Sequence, residues 1–362
     1  MTQRPLDSNL KSNWRKLVAP YQHSDLNQSI RQLVTTLVPY VACWTLMIYS
    51  LHISYWLTLA LVIPTALFQM RLFIMFHDCG HGSFFNSHKA NSVVGFFLGV
   101  LVFTPSEDWW RQHALHHATA GNLDKRGLGD IMTLTVAEYQ QSSPWKRLTY
   151  GFFRHPLIMF TFGPIYIFLI SQRLPSKGAG VKERRSVYLT DLVLLAIIAV
   201  FSLTIGLDKY LMIQLPLAWL AGMVGIWMFY IQHQYENVYW ERDNNWDYFC
   251  AALQGASFYK LPGIMQWFSG NIGFHHIHHL SPRIPNYYLD KCFEENPALQ
   301  NAETFTFRTG LKSLSLRLYD ESTRKLVSFK DMRQSTVSYQ ESAISGPGKI
   351  TGSQAATFNR GR

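Results

Sequence analysis

Nine of the fourteen histidines in this 362-residue chain fall in three short clusters. HDCGH (77–81) places His77 and His81 four residues apart, HALHH (113–117) holds His113, His116 and His117, and GNIGFHHIHHLSP (270–282) holds His275, His276, His278 and His279. Residues three and four apart share a helical face, so each H-x-x-H-H run can turn three ring nitrogens inward. His276 lies about 100° around the helix from His275, off that face. A single cluster of this kind is as often incidental as functional. Three of them, two with identical spacing, argue for a metal centre. Eight imidazoles exceed what one ion accommodates, so two metals are the economical expectation. Imidazole alone suits iron, copper, nickel and zinc, and spacing does not choose among them. Hydrolytic zinc needs fewer ligands. A redox-active pair beside apolar segments points instead to O2 chemistry on an apolar substrate, because breaking an unactivated C–H bond lies beyond acid–base side chains. Such rings need outer acceptors to fix their tautomers, and Asp78, Asp108, Asp130, Glu138, Asn271 and Asp290 are available without being assignable.

The elements that must carry these clusters are membrane helices. Apolar residues make up 48% of the chain and charged residues only 15%, against roughly 25% charged in soluble proteins. No Asp, Glu, Lys or Arg occurs between Arg31 and Arg71, room for two spans at about 20 residues each. Spans are expected at about 33–51, 55–76, 188–206 and 210–230, in two hairpins. The stretch at 92–103 is too short to cross, and that at 155–172 is interrupted by Gly163-Pro164. Crossing there would carry Arg173, Lys177, Lys182, Arg184 and Arg185 away from the other basic clusters, against the positive-inside rule, so both stretches read as re-entrant or interfacial. The expected fold is therefore all-α: four spans, interfacial helices and a helical cap. Residues 1–31 form an N-terminal segment, 32–333 the membrane domain, and 334–362 a polar tail without periodicity. Both termini and all three clusters fall on the cytoplasmic side. The four cysteines form no C-x-x-C pair, which argues against a disulfide framework. The N-terminus lacks the apolar core of a signal peptide. A net charge of +10 suits anionic headgroups or an acidic protein partner, and equally ordinary cytoplasmic anchoring. No nucleic-acid partner is expected. Trp109 and Trp110 read equally as tunnel lining and interfacial anchors.

The boxes HDCGH, HALHH and HHIHH resemble those of the membrane fatty-acid desaturases. Likeness continues through GNLDKRGLGDIMTLTVAEY (121–139), RHPLIMFTFGPIYIFL (154–169), YIQHQYENVYW (230–240), ASFYKLPG (256–263) and GNIGFHHIHHLSPRIPNYYL (270–289), over residues 10 to 335 or so. Within that family the chain looks most like bacterial acyl-lipid desaturases of the delta-5 type, then the delta-12 type. The resemblance implies a non-haem di-iron centre that uses O2 and two electrons to place a cis double bond in a membrane-lipid acyl chain. It also implies a ninth ligand after the fourth span, for which His233 stands in place. Animal acyl-CoA desaturases carry an Asn four residues earlier that acts through a water; here the residue is Phe229, which leaves Gln232 or Asn271 as alternatives. His23, His52, His88 and His155 fall outside the pattern. No cytochrome domain or nucleotide-binding glycine loop is fused, so the resemblance implies an external donor, a ferredoxin or flavodoxin, at a bacterial plasma membrane. A hydroxylase or ketolase on the same scaffold is the nearest alternative, and a non-catalytic metal or haem membrane protein a more distant one.

Overall fold

The computed structural model describes residues 8–127 and 129–334, so the tail expected at 334–362 lies outside the described residues but for its first position. Among the described residues, four helices are long and apolar enough to cross a membrane: Leu26–Ser50, Tyr55–His81, Val181–Thr204 and Leu207–His233. Asp25 caps the first by accepting from the amides of Asn27 (2.8 Å) and Gln28 (3.1 Å). A short turn leads into the second span, which ends at Gly82 in the left-handed conformation (φ 66°). Gly206 (φ 97°) makes the corresponding turn between the third and fourth. Val38, Trp56 and Leu203 are 64%, 80% and 88% exposed, an arrangement that suits lipid and not water.

The 27-residue second and fourth spans rise about 40 Å at about 1.5 Å per residue, longer than the roughly 30 Å hydrocarbon core. Both helices run past the expected span boundaries at 76 and 230. HDCGH and His233 form the last turns of these helices. Pro64 removes one bond from the ladder mid-helix, yet the helix runs on to Gly82 and so carries its polar end out of the apolar layer.

Both shorter apolar stretches bend back. His88–Leu101 meets Ser106–Thr119 at 99°, and Pro144–Phe153 meets Pro156–Arg173 at 73°. At the first bend Trp110 is wedged between helices and donates to the Phe76 carbonyl (3.1 Å). A Cβ on Gly80 would stand 2.2 Å from the Trp110 ring. Trp110 is thus a packing residue rather than an interfacial anchor. The second pair lies as a strap along the fourth span. Phe160 packs on Trp227 and Tyr230, with ring centroids 5.7 Å away in each case, and Trp219 donates to the Thr161 carbonyl (3.0 Å). Beyond buried Pro164 the strap loosens into a π-helical turn, Tyr166–Ile170.

The cap is helical with two small sheets that the sequence does not announce. Leu318–Asp320 pairs parallel with Leu134–Thr135 and antiparallel with Lys325–Val327, and Phe258–Tyr259 pairs with Thr304–Phe305. Strands this short carry too few residues for apolar alternation to register. The helix Ser8–Val18 closes the cap by burying Leu10, Trp14 and Val18 against Phe274, Ile277 and Leu280, which fixes the third histidine cluster from behind.

Candidate metal centre

Four elements deliver the nine histidines to one place. The last turns of the second span carry His77 and His81, and Ser106–Thr119 carries His113, His116 and His117. The fourth span ends on His233, and the short helix His275–Leu280 presents His275, His278 and His279. Their Nε2 atoms form two separate runs of close contacts. In the first, His81, His77, His278, His117 and His113 follow one another at 3.3, 3.0, 2.9 and 3.0 Å. In the second, His116, His233, His275 and His279 do so at 3.2, 2.9 and 3.2 Å. The runs hold five and four imidazoles.

Outer groups decide what those nitrogens offer. His77 Nδ1 faces Asp78 Oδ1 (3.0 Å), His116 Nδ1 faces Asp130 Oδ1 (2.7 Å), and His233 Nδ1 faces the Gly255 carbonyl (3.0 Å). Each partner can only accept, so each Nδ1 carries the hydrogen and each Nε2 is a bare lone pair. Lone pairs 3 Å apart repel. One proton could bridge one pair, yet the Nε2 atoms of His77, His278, His117, His233 and His275 each have two such neighbours. The five nitrogens of the first run lie within 4.8 Å of one another, as do those of His116, His233 and His279 in the second. One cation can therefore be shared in each set, with His275 adjoining the second. Nitrogens about 2.1 Å from a common ion and near right angles lie about 3 Å apart, which the observed separations match. The donor set therefore fits two metal ions.

Burial, followed by the neighbouring imidazoles, pushes His113, His117, His275, His278 and His279 well below the usual histidine range. These rings stay neutral and keep their lone pairs. His276 is buried too, but its Nε2 donates to the Leu299 carbonyl (3.0 Å) on the far side of the helix. Burial brings it down to about 4, against the opposing pull of that hydrogen bond.

The H-x-x-H-H triangles divide between the two groups rather than serving one each. His113 and His117 join the first run while His116 joins the second, and His275 and His279 join the second while His278 joins the first. Residues i and i+4 are only about 40° apart around a helix, whereas i+3 falls about 60° to the other side. Each helix thus stands between the two groups and feeds both. His23, His88 and His155 lie outside the cluster: His23 packs on Tyr288, His88 opens a helix as an exposed residue, and His155 sits at the bend of the strap.

A cavity of about 680 Å³ opens beside the histidines, with His77, His113 and His275 in its wall. Trp109 lines it and stacks on His113 (centroids 4.5 Å, 17°), so of the two tryptophans only this one belongs to the tunnel. From there it runs between the second span, the fourth span and the strap, with Met70, Phe73, Ile226 and Phe168 among its apolar lining.

The family model for fatty acid desaturases matches residues 22–309 of the chain. The chain belongs to the fatty acid desaturase family. A fatty acid desaturase of Bacillus subtilis (strain 168) is 46% identical over 323 residues, covering 89% of this chain and 92% of the relative. An sn-1 acyl-lipid omega-3 desaturase (ferredoxin) of Synechocystis sp. is 28% identical, covering 62% of each chain. An sn-2 acyl-lipid omega-3 desaturase (ferredoxin), chloroplastic, of Arabidopsis thaliana is 29% identical, covering 62% of this chain and 51% of the relative. Membership makes this desaturase an oxidoreductase of lipid metabolism, and its histidine cluster is compatible with a metal site.

The candidate groups around the desaturase's cluster were named by the sequence without their roles. Asp78 and Asp130 take up the ring hydrogens of His77 and His116, but Asp108 binds Ser176 and Gln112, and Glu138 pairs with Arg126 and closes a capping box with Thr135. Asp290 lies in the first turn of Leu289–Glu295. Phe229 packs its ring against His116 and His233 at 5.2 and 5.1 Å. Neither expected substitute for a polar group there is free: Gln232 donates to the Ile272 carbonyl (2.8 Å) and Asn271 to that of Asn286 (3.1 Å). Gly255, which contributes only a backbone carbonyl, has no sequence signal at all.

Acidification tests the neutral cluster. An unfolded histidine takes up its proton near about pH 6.5, whereas burial keeps these rings neutral further down. Between the two values the unfolded chain binds more protons, so folding stability falls as pH falls. For the metal-free protein in detergent, the thermal midpoint should be level above about pH 6.5 and drop steadily below it. His276 contributes to the loss as far as about pH 4. A midpoint unchanged down to about pH 5 would contradict a buried neutral cluster.

Proposed function

We propose that the chain is an acyl-lipid desaturase that places a cis double bond in a membrane-lipid acyl chain, with the delta-5 position favoured. The observation that carries this reading is the pair of Nε2 runs, five and four histidines strong, set against the wall of a long apolar cavity. His77, His81, His113, His117 and His278 would hold one iron, and His116, His233, His275 and His279 the other. Iron bound there supplies the O2 activation that an unactivated methylene requires. The balance is O2, two electrons and two protons in, with two hydrogens leaving the chain and two waters formed. Electrons come from a separate carrier, a ferredoxin or flavodoxin, a reading supported by relatives named for ferredoxin.

The protein's own share is to hold and to exclude. Asp78, Asp130 and the Gly255 carbonyl keep three rings in the metal-binding tautomer. Trp109 and Phe229 pack against the imidazoles, and the cavity wall shields the reacting methylenes from water. The catalytic domain is assigned to residues 32–333, after a cytoplasmic segment at 1–31. Both termini and the site face the cytoplasm of a bacterial plasma membrane.

Expression in a bacterial strain lacking desaturases, followed by mass spectrometry of the membrane fatty acids and derivatisation to locate the bond, is the test. Species lighter by two hydrogens, with the bond at the delta-5 position, are expected. Species heavier by oxygen would mean a hydroxylase or ketolase. No new acyl species in membranes that contain the metal-loaded protein would overturn the reading.

A further inference from the structure

The cavity continues well beyond the histidines, and the fourth span shows how far. Ala218, Ala221, Gly222, Gly225 and Phe229 all line it from one face of that helix. At about 1.5 Å per residue, Gly225 lies about 12 Å from His233 along the helix and Ala218 about 22 Å. On the second span the lining reaches only to Gln69, eight residues before His77, a depth similar to that of Gly225. Past that level the space is enclosed by small residues of the fourth span and by Gly163, Ile167 and Phe168 of the strap. Gly225 therefore borders the cavity where the part beside the histidines continues into its deeper stretch along the fourth span.

Its surroundings distinguish it from its neighbour. A Cβ on Gly222 would meet Pro164 at 2.9 Å and Phe168 at 3.0 Å, so Gly222 is a notch into which the strap packs. A Cβ on Gly225 would meet nothing within 4 Å, although the residue lines the cavity. A side chain there would grow into the cavity without displacing packed atoms. Asp108, Gln112 and Ser176, joined by hydrogen bonds at the first helix after the bend, give the cavity a polar lining on the histidine side. Gln69 adds a polar group at the level of Gly225. The polarity on the histidine side suits the ester end of a lipid, and the deeper stretch suits the methyl end.

We propose that Gly225 is the specificity-determining neck of the substrate channel, open so that a long unbranched acyl chain can pass its methyl end into the deeper stretch. A double bond near the carboxyl end leaves most of the chain beyond the histidines, which a deep pocket accommodates and a plugged one does not. The inference rests on the desaturase reading above and sets the chain length that this enzyme accepts.

The full-length protein is expressed in membranes supplied with tetradecanoyl, hexadecanoyl or octadecanoyl chains, as wild type, Gly225→Ala and Gly225→Leu. Product yield per chain length is measured together with iron content and thermal midpoint. A misfit methylene in an apolar pocket costs roughly 10–200-fold. Gly225→Leu should therefore lower octadecanoyl relative to tetradecanoyl desaturation by about tenfold or more, with iron retained, and Gly225→Ala should shift the ratio less in the same direction. An unchanged ratio in Gly225→Leu, or an equal loss on all chains with iron retained, overturns the proposal. Should Gly225→Leu fail to accumulate, Gly225→Ala decides alone: a shift toward shorter chains supports the neck, and no shift overturns it. Wild-type membranes without any new double bond would count against the desaturase reading instead.

Discussion

Replacing His278 with alanine should reduce double-bond formation to background, whereas replacing His276, two residues away, should leave the enzyme working. His278 Nε2 lies 3.0 Å from that of His77 and 2.9 Å from that of His117, in the middle of the five-histidine run. Its loss removes a donor and breaks the run into two pairs. Outer partners of metal-binding histidines are themselves worth about 10–100-fold in affinity or activity, so an inner donor should cost more than about 100-fold. Iron per chain should fall in parallel. His276 is equally buried, but its ring meets Phe293 and the Leu299 carbonyl on the opposite face. His276→Ala forfeits that hydrogen bond and leaves a buried carbonyl unpaired, about 1–3 kcal/mol of stability, without touching either group of lone pairs. Near-normal unsaturated lipid from the His278 variant would remove the basis for the metal assignment. So would equal iron loss from both variants.

Why one histidine of the pair could be discounted from sequence while its partners could not be sorted is a matter of range. The 100° step of a helix is local, and it separates His276 from its neighbours without knowledge of anything else. Which group His278 joins depends on the angle at which its helix meets the second span, 201 residues away. The spans were legible because some twenty apolar residues have few alternatives. Their ends were not, because backbone hydrogen bonding carries the helix past the apolar layer to Gly82. His233 gives no spacing signal and entered only through resemblance. Gly225 reads as a tolerated helix breaker until the strap is laid over the cavity it borders. The first bend follows the short stretch at 92–103, but the second falls before Pro156 and not at the expected Gly163-Pro164, where the helix runs on through Pro164.

Asp78→Asn should loosen the site from outside while keeping every histidine. Asp78 Oδ1 accepts from His77 Nδ1 at 3.0 Å, and Oδ2 accepts from the Asn286 amide (2.7 Å) and side-chain Nδ2 (2.8 Å). Asn286 is held in turn by Gln32 of the first span, whose Nε2 donates to Asn286 Oδ1 at 2.7 Å. One carboxylate thus ties a metal-facing ring to the first span and to the loop behind the third histidine cluster. A carboxylate can accept on both oxygens; a carboxamide cannot. If its NH2 points to His77, two donors collide unless the ring moves its hydrogen to Nε2, where the lone pair is needed. If it points to Asn286, two donors collide there and the loop must shift. Either way a buried group loses its partner, and stability should drop by about 1–3 kcal/mol. Iron affinity, measured by chelator competition, should fall about 10–100-fold. The two readouts separate the causes: a drop in thermal midpoint with unchanged affinity would make Asp78 a packing residue, and loss of affinity in the folded protein would make it the group that sets the His77 tautomer.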